Sequence, residues 1–326
     1  MGTDNYAYGV SNSADVPYLG MGAGIKTDFG MVFPSTARVA AFVRSTGRQD
    51  LDPPNISDRI VTTLARGLKM CRAGFGDIVV VLPGHAENVT DATMLDNLVN
   101  GTRIVGWGSP MQDDAPTFDF TAVASKWVVD NKNVSISGLK LKFSRATAFT
   151  TIGVSFTAAG CSMTGNVVET ATDSTHGVLV AIEVGTAAHQ FTFAGNYVYG
   201  TIGTFQTHVV KVTAAVNDLQ IIKNRIMAPS TIATGVIALG AFASLRCYIA
   251  DNVLSNTLAA STACISAGDA LSSGDIVRNY CSVLNDGTGA SQGIILHATS
   301  LIKCYENRTS DEPGKTGIIT PAAVAT

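Results

Sequence analysis

Carboxylates are the residues of this chain best suited to do chemistry. In its repetitive part they are Glu169, Asp173, Glu183, Asp218, Asp251, Asp269, Asp275, Asp286 and Glu306. Cleaving a glycosidic bond needs two carboxyl groups roughly 5–9.5 Å apart, one to protonate the leaving oxygen and one to attack or to activate water. Asp251 and Glu306 each precede an asparagine at a recurring position, but two repeats apart. Asp218 precedes a leucine, in another position, and Asp173 and Glu183 share one repeat at best. No same-face pair emerges, so these acids are expected on solvated surface and in turns.

The other reactive residues are equally sparse. The histidines at 85, 176, 189, 208 and 297 show no metal-binding spacing. Gly314-Lys315-Thr316 resembles the end of a phosphate loop, but Thr309 stands where the earlier glycine must be. Gly20, Gly22 and Gly24 do not lead from a strand into a helix, which rejects a dinucleotide loop. Trp107 and Trp127 can form a sugar platform, although lone aromatics beside strands usually pack. The six cysteines form no CxxC pair. Cys161, Cys247, Cys264 and Cys304 lie in or beside strand-like segments, where a free thiol packs as a small hydrophobe. No catalytic, cofactor or metal residue is expected.

What positions these residues is a repeat. Asparagines at 166, 196, 224, 252, 279 and 307 close similar short segments, at intervals of 30, 28, 28, 27 and 28 residues. Gly138-Leu139 continues the series backward, with Leu139 in the asparagine slot. A second strand-like segment recurs in phase, starting at Gly177, Thr207, Gly235, Ala263 and Gly293. Helical repeats of such length need a 3.6-residue period, absent here, and a propeller blade takes about 40 residues or more. A parallel β-helix coil fits, each turn pairing with its neighbours about 4.8 Å away. Seven to nine coils make a rod roughly 35–45 Å long. The asparagines are expected to stack as a structural ladder and to supply left-handed backbone at a tight corner.

Composition sets further bounds. The chain is 46% hydrophobic and only 14% charged, which excludes disorder of the whole. A formal net charge of −3 leaves no basic excess for binding nucleic acid. Apolar runs such as 235–243 fall short of the roughly 20 residues of a membrane-spanning helix. Residues 1–5 begin no secretory signal, so the cysteines are expected as reduced thiols of a protein made in a cytoplasm.

A stack of coils needs its ends covered. Ile56, Ile60, Val61, Leu64, Ala65 and Leu68 fall on one helical face, predicting an amphipathic capping helix from Ile56 to Met70. Residues 1–35 carry Tyr6, Tyr8, Tyr18, Met21, Phe29 and Phe33 among glycines and polar residues, without period. Their expected role is an arm that orders on a partner. Residues 311–326 read as a loose tail.

The succession of Ala41-Phe42-Val43, the predicted helix, Gly76-Asp77-Ile78-Val79-Val80-Val81-Leu82-Pro83-Gly84-His85 and Thr102-Arg103-Ile104-Val105-Gly106-Trp107-Gly108 resembles the pectin-lyase-like superfamily. More narrowly, it is similar to the β-helical virion proteins of tailed bacteriophages. The resemblance covers residues 40–145 and is extended by the coil period to about 310. It implies a right-handed helix and, often, a homotrimer. The expected fold is thus all-β, a right-handed parallel β-helix with coils of about 28 residues and an N-terminal helical cap. The expected division is an arm (1–35), strand plus capping helix (36–75), β-helix (76–310) and tail (311–326). The expected function is non-enzymatic: a phage capsid decoration, or cement, protein on the virion head. Its partners would be its own copies and the major capsid protein or another virion protein, without nucleic acid, membrane or cofactor. The alternative is a tail fibre or spike that binds or cleaves host polysaccharide.

Overall fold

The computed structural model describes residues 37–47, 57–144, 149–170, 177–200, 205–227, 235–256, 263–283, 292–310 and 319–321. Short strands with polar–apolar–polar patterning dominate. Ser162-Met163-Thr164 and Thr192-Phe193-Ala194 each bury only the middle residue. A strand of three residues cannot hold itself together, so its stability comes from registered neighbours in the coils above and below.

Those neighbours form three parallel sheets, of 11, 9 and 8 strands among the described residues. From Arg103 onward the chain visits sheets I, II and III in fixed order, once per coil. Inward side chains stack in columns. Sheet I stacks Ile104, Ile136, Met163, Phe193, Ile221, Ile249 and Ile276. Sheet II stacks Phe118, Leu141, Val168, Val198, Ile226, Leu254 and Cys281. Sheet III stacks Trp127, Val154, Ile182, Val210, Ile237, Ile265 and Ile294. All are buried and form one continuous core. Each such side chain contributes about 1.5–3 kcal/mol of burial.

The first coil departs from the sequence reading. The segment expected as one helix from Ile56 to Met70 contains a strand, Ile60–Val61, that pairs with Phe42 and Val43 and extends sheet I. Helix α1 spans only Leu64–Leu68, with Thr63 as N-cap. The reason is the β-branched run Ile60-Val61-Thr62-Thr63, which favours extended backbone until the Thr63 hydroxyl accepts the Arg66 N–H. Leu64 and Leu68 are fully buried in the core of the first coils. Gly67 permits this close seat, because a Cβ there would lie 3.0 Å from the Val79 side chain and 3.2 Å from that of Val43. Beside the helix, the Asp77 carboxylate is bound by Arg72 at 2.8 Å and approached by Arg38 at 3.4 Å. Burial pushes its pKa up, but the bonds from Arg72 outweigh burial and hold it below the usual carboxylate range.

At the other end, Ile319–Pro321 pairs with Ile294–Leu296 and adds a strand to sheet III, within the stretch expected to be a loose tail. The arm residues Tyr6, Tyr8, Tyr18, Met21, Phe29 and Phe33 lie outside the described residues.

Candidate functional site

The asparagines at 166, 196, 224, 252, 279 and 307 lie in one column between sheets I and II. Each backbone N–H and each side-chain amide donates to the side-chain oxygen of the next asparagine. The pair of bonds measures 2.9 and 3.1 Å from Asn166 to Asn196, and 2.9 and 3.0 Å from Asn196 to Asn224. It continues from Asn224 to Asn252, Asn252 to Asn279 and Asn279 to Asn307. The second amide hydrogen reaches a sheet I carbonyl, such as Met163 O from Asn196 at 3.0 Å. Leu139, in the slot one coil earlier, donates its N–H to Asn166 Oδ1 at 3.0 Å. With their donors used, these side chains are a buried brace and leave nothing to offer a ligand.

The left-handed backbone expected of these asparagines belongs to their predecessors. Gly138, Gly165 and Gly195 have φ of 61–68°, and Lys223, Asp251, Arg278 and Glu306 have φ of 52–58°. The asparagine itself must point inward to bond along the axis, so the turn falls one residue earlier. A second left-handed column, Asn133, Gly160, Gln190, Asp218 and Arg246, opens the sheet I strands.

This geometry decides what the acids can do. Asp251 and Glu306 share the first column, but Arg278 stands between them. It binds Asp251 with two bonds, at 2.7 and 3.0 Å, and lies 4.0 Å from Glu306. Asp218 and Arg246 form a like pair in the second column, at 2.6 and 2.8 Å. The guanidinium bonds hold both Asp251 and Asp218 below the ordinary carboxylate range. Glu183 accepts from Ser155 Oγ at 2.8 Å and lies 3.8 Å from Lys126 Nζ. Asp269 accepts the Leu271 N–H at 2.7 Å. Asp275 sits in sheet I between Tyr248 and Lys303. Asp173 and Asp286 lie outside the described residues.

One arrangement of acids lies beyond the residues that flank the asparagines. On the outer face of sheet II, Asp119, Lys142 and Glu169 occupy one registered column. Glu169 is bound by Lys140 at 2.6 Å, and Asp119 accepts from Ser144 Oγ at 2.6 Å. Burial and a hydrogen bond to Glu169 push the Tyr199 phenol up to about 12. The signal lay in the repeat: Lys142, Glu169 and Tyr199 stand three residues after Leu139, Asn166 and Asn196. Residues one past the slot also face outward, giving Tyr197, Arg225, Val253, Tyr280 and Arg308 in register. The Arg225 guanidinium lies 5.5 Å from the centroid of the Tyr197 ring. Again a cation stands between the two acids in register, Lys142 between Asp119 and Glu169.

The remaining candidates pack. Trp127 is fully buried, 4.8 Å from the Phe118 ring and 5.8 Å from that of Phe120, so it is no sugar platform. Trp107 packs in the cluster around Val80 and Val105. All six cysteines are free thiols. Burial pushes Cys71 and Cys247 up to about 12 and Cys304 to about 11, so they stay protonated and unreactive. Burial lowers the His208 pKa, and its Nδ1 lies 2.8 Å from Gly235 O. Among the described residues no group of three His, Cys, Asp or Glu is placed to hold a metal, and no helix is long and apolar enough to cross a membrane. Family profiles, curated proteins and solved structures give no match to the sequence.

Proposed function

We propose that this chain is a structural protein of a virion, a trimeric β-helix that decorates the capsid of a tailed bacteriophage. One observation carries the non-catalytic part of this reading. In each outward column where two acids share a face, a cation from the intervening coil divides them: Arg278 between Asp251 and Glu306, and Lys142 between Asp119 and Glu169. A rod whose acids are tied up in bracing its own coils suits a mechanical role. The virion part rests on the sequence resemblance, and the capsid partner on the aromatic arm. Cryo-microscopy of virions carrying this protein tests it: threefold density on the head is expected, and density on the tail alone overturns it.

A second reading has its own support. The outer face of sheet II exposes Arg225, Met227, Val253, Tyr280 and Arg308 in neighbouring coils. Such a strip of tyrosine rings and guanidinium groups suits binding of a host glycan, as on a tail fibre or spike. Retention of the protein on immobilised host polysaccharide, lost on Tyr280→Ala, would favour this reading over the first.

A further inference from the structure

The corner column that holds the asparagines has a different occupant at its first coil. The Ala86–Val89 strand registers with Thr117–Phe120, and Thr117 with Lys140 and then Val167. The residue before each strand is the corner slot, which places His85 in line with Leu139 and Asn166. Gly84, with φ 73°, is the left-handed residue before it, as Gly165 is before Asn166. Like the asparagines, His85 reaches toward the preceding coil. There it meets a hydroxyl rather than an amide: Nδ1 lies 3.0 Å from Ser45 Oγ. Its other nitrogen, Nε2, lies 3.1 Å from Glu87 Oε2.

From this geometry we infer that Ser45, His85 and Glu87 form a nucleophile–base–acid relay able to hydrolyse small carboxylic esters. The inference goes beyond the structural role proposed above and does not depend on it. The three positions differ in the way such a relay requires. Ser45 is exposed, in the turn after the Val39–Val43 strand. His85 is 1% exposed and packs against the Phe118 ring at 5.4 Å. Glu87 is half-buried and fixed by the Leu64 N–H at 2.9 Å. With its proton on Nε2, held by Glu87, the imidazole turns the Nδ1 lone pair toward the serine. The two ring nitrogens serve a relay equally, provided each faces its own partner. The Ser45 hydroxyl is also within 2.9 Å of the Ala86 carbonyl, so its hydrogen has two acceptors to choose between. The Ala86 N–H points at Oγ from 2.9 Å and stabilises the alkoxide as the proton leaves.

The reaction follows the usual acyl-transfer order. Ser45 Oγ bonds to the ester carbonyl carbon while its proton passes to His85 Nδ1. The carbon–alkoxide bond breaks, and that proton leaves with the alcohol. Water then gives a proton to His85 and its oxygen to the acyl carbon. The carboxylic acid departs, and the proton returns to Ser45. With Ser45 at the surface, a short acyl chain is the expected substrate.

The test uses the full chain and a fluorophosphonate probe, whose phosphorus is attacked by an activated serine with loss of fluoride. The adduct is located by peptide mass spectrometry. Labelling at Ser45 is expected, absent in Ser45→Ala and reduced about 100-fold or more in His85→Asn. Hydrolysis of p-nitrophenyl acetate should fall in parallel, and Glu87→Gln should displace its pH profile, a change that a merely bracing glutamate would not cause. Thermal melting of each variant reports folding. Absence of a Ser45 adduct on the wild-type protein overturns the inference, whatever the variants do. So does equal labelling of a folded His85→Asn, which would make the three residues a brace for the first coil.

Discussion

The early and late coils of this rod solve the same corner in different ways. From Gly138 to Gly195 the left-handed position before the slot is glycine; from Lys223 on it is a charged residue. A side chain in that conformation costs roughly 1–2 kcal/mol. The late coils accept the cost and gain an axial run of alternating charge, Lys223, Asp251, Arg278 and Glu306, with Arg278 bound to Asp251. The cores differ in step. The early coils stack Phe118, Trp127, Phe120 and Phe143, with ring centroids 4.6–5.8 Å apart. The late coils fill the Phe118 column with Leu254 and Cys281, and the Trp127 column with Ile265 and Ile294. Large rings thus go with permissive corners, and smaller cores with corners tied by charge. The pairing teaches that the coil is fixed by the asparagine column and the inward alternation, while core volume and corner chemistry can vary along it.

Substitutions can break this comparison, beginning with the core. Trp127→Ala should destabilise by about 3–5 kcal/mol in chemical denaturation, and Cys281→Ala far less, because a smaller void is left. Equal losses would show that the aromatic stack is not what distinguishes the early coils. Asn224→Ala should cost about 1–3 kcal/mol, since it strands the buried Asn196 N–H and the Phe193 carbonyl. Asn307→Ala, at the half-exposed end of the ladder, should cost less. The corners can be exchanged. Gly195→Lys should lose about 1 kcal/mol from backbone conformation alone, because no side chain stands within 4 Å of the added Cβ. Lys223→Gly should stay within about 1 kcal/mol of wild type, relief of the corner being offset by a freer unfolded chain. If both substitutions are neutral, the glycine-to-charge transition carries no energetic meaning.

The smallest effect concerns the exposed ion pairs. Asp218 and Asp251 have carboxyls held low by Arg246 and Arg278, so their contribution is complete above the unfolded value near 3.9 and fades as pH falls through the lower folded value. His208, whose pKa burial lowers, acts earlier: its neutral form is favoured in the fold, and stability is lost as pH falls below about 6.5. Melting curves from pH 7 to 3 should show the first loss diminished in His208→Gln and the second in Asp251→Asn. Added salt should weaken only the second.

Much of the fold was legible because a buried amide in a parallel stack must recur at one residue per coil. Six asparagines in phase therefore located the column, and Leu139 its beginning. The left-handed residue was misplaced by one position, although Gly138, Gly165 and Gly195 marked it, because asparagine is itself a turn former. The second corner, from Asn133 to Arg246, offered no common residue type to read. The helix was overdrawn because apolar periodicity in Ile60 and Val61 suits either state, and sheet pairing with Phe42 and Val43 decided it. The Asp119–Lys142–Glu169 column is not evident in the sequence, because its members share no residue type and only strand register aligns them, three residues beyond the slot. The sequence shows only that His85 lacks metal-binding spacing, because the register between strands is what reveals that it occupies an asparagine's place.

The ladder also gives the molecule a heading. Every side-chain carbonyl of the ladder looks back toward the previous coil, and the backbone N–H groups of Asn166, Asn196, Asn224, Asn252 and Asn279 look forward to the next. Cut between coils, the ladder would show a bare acceptor on one stump and bare donors on the other. Along this column two cut ends match nose to tail and not nose to nose, as with arrows sharing a single shaft.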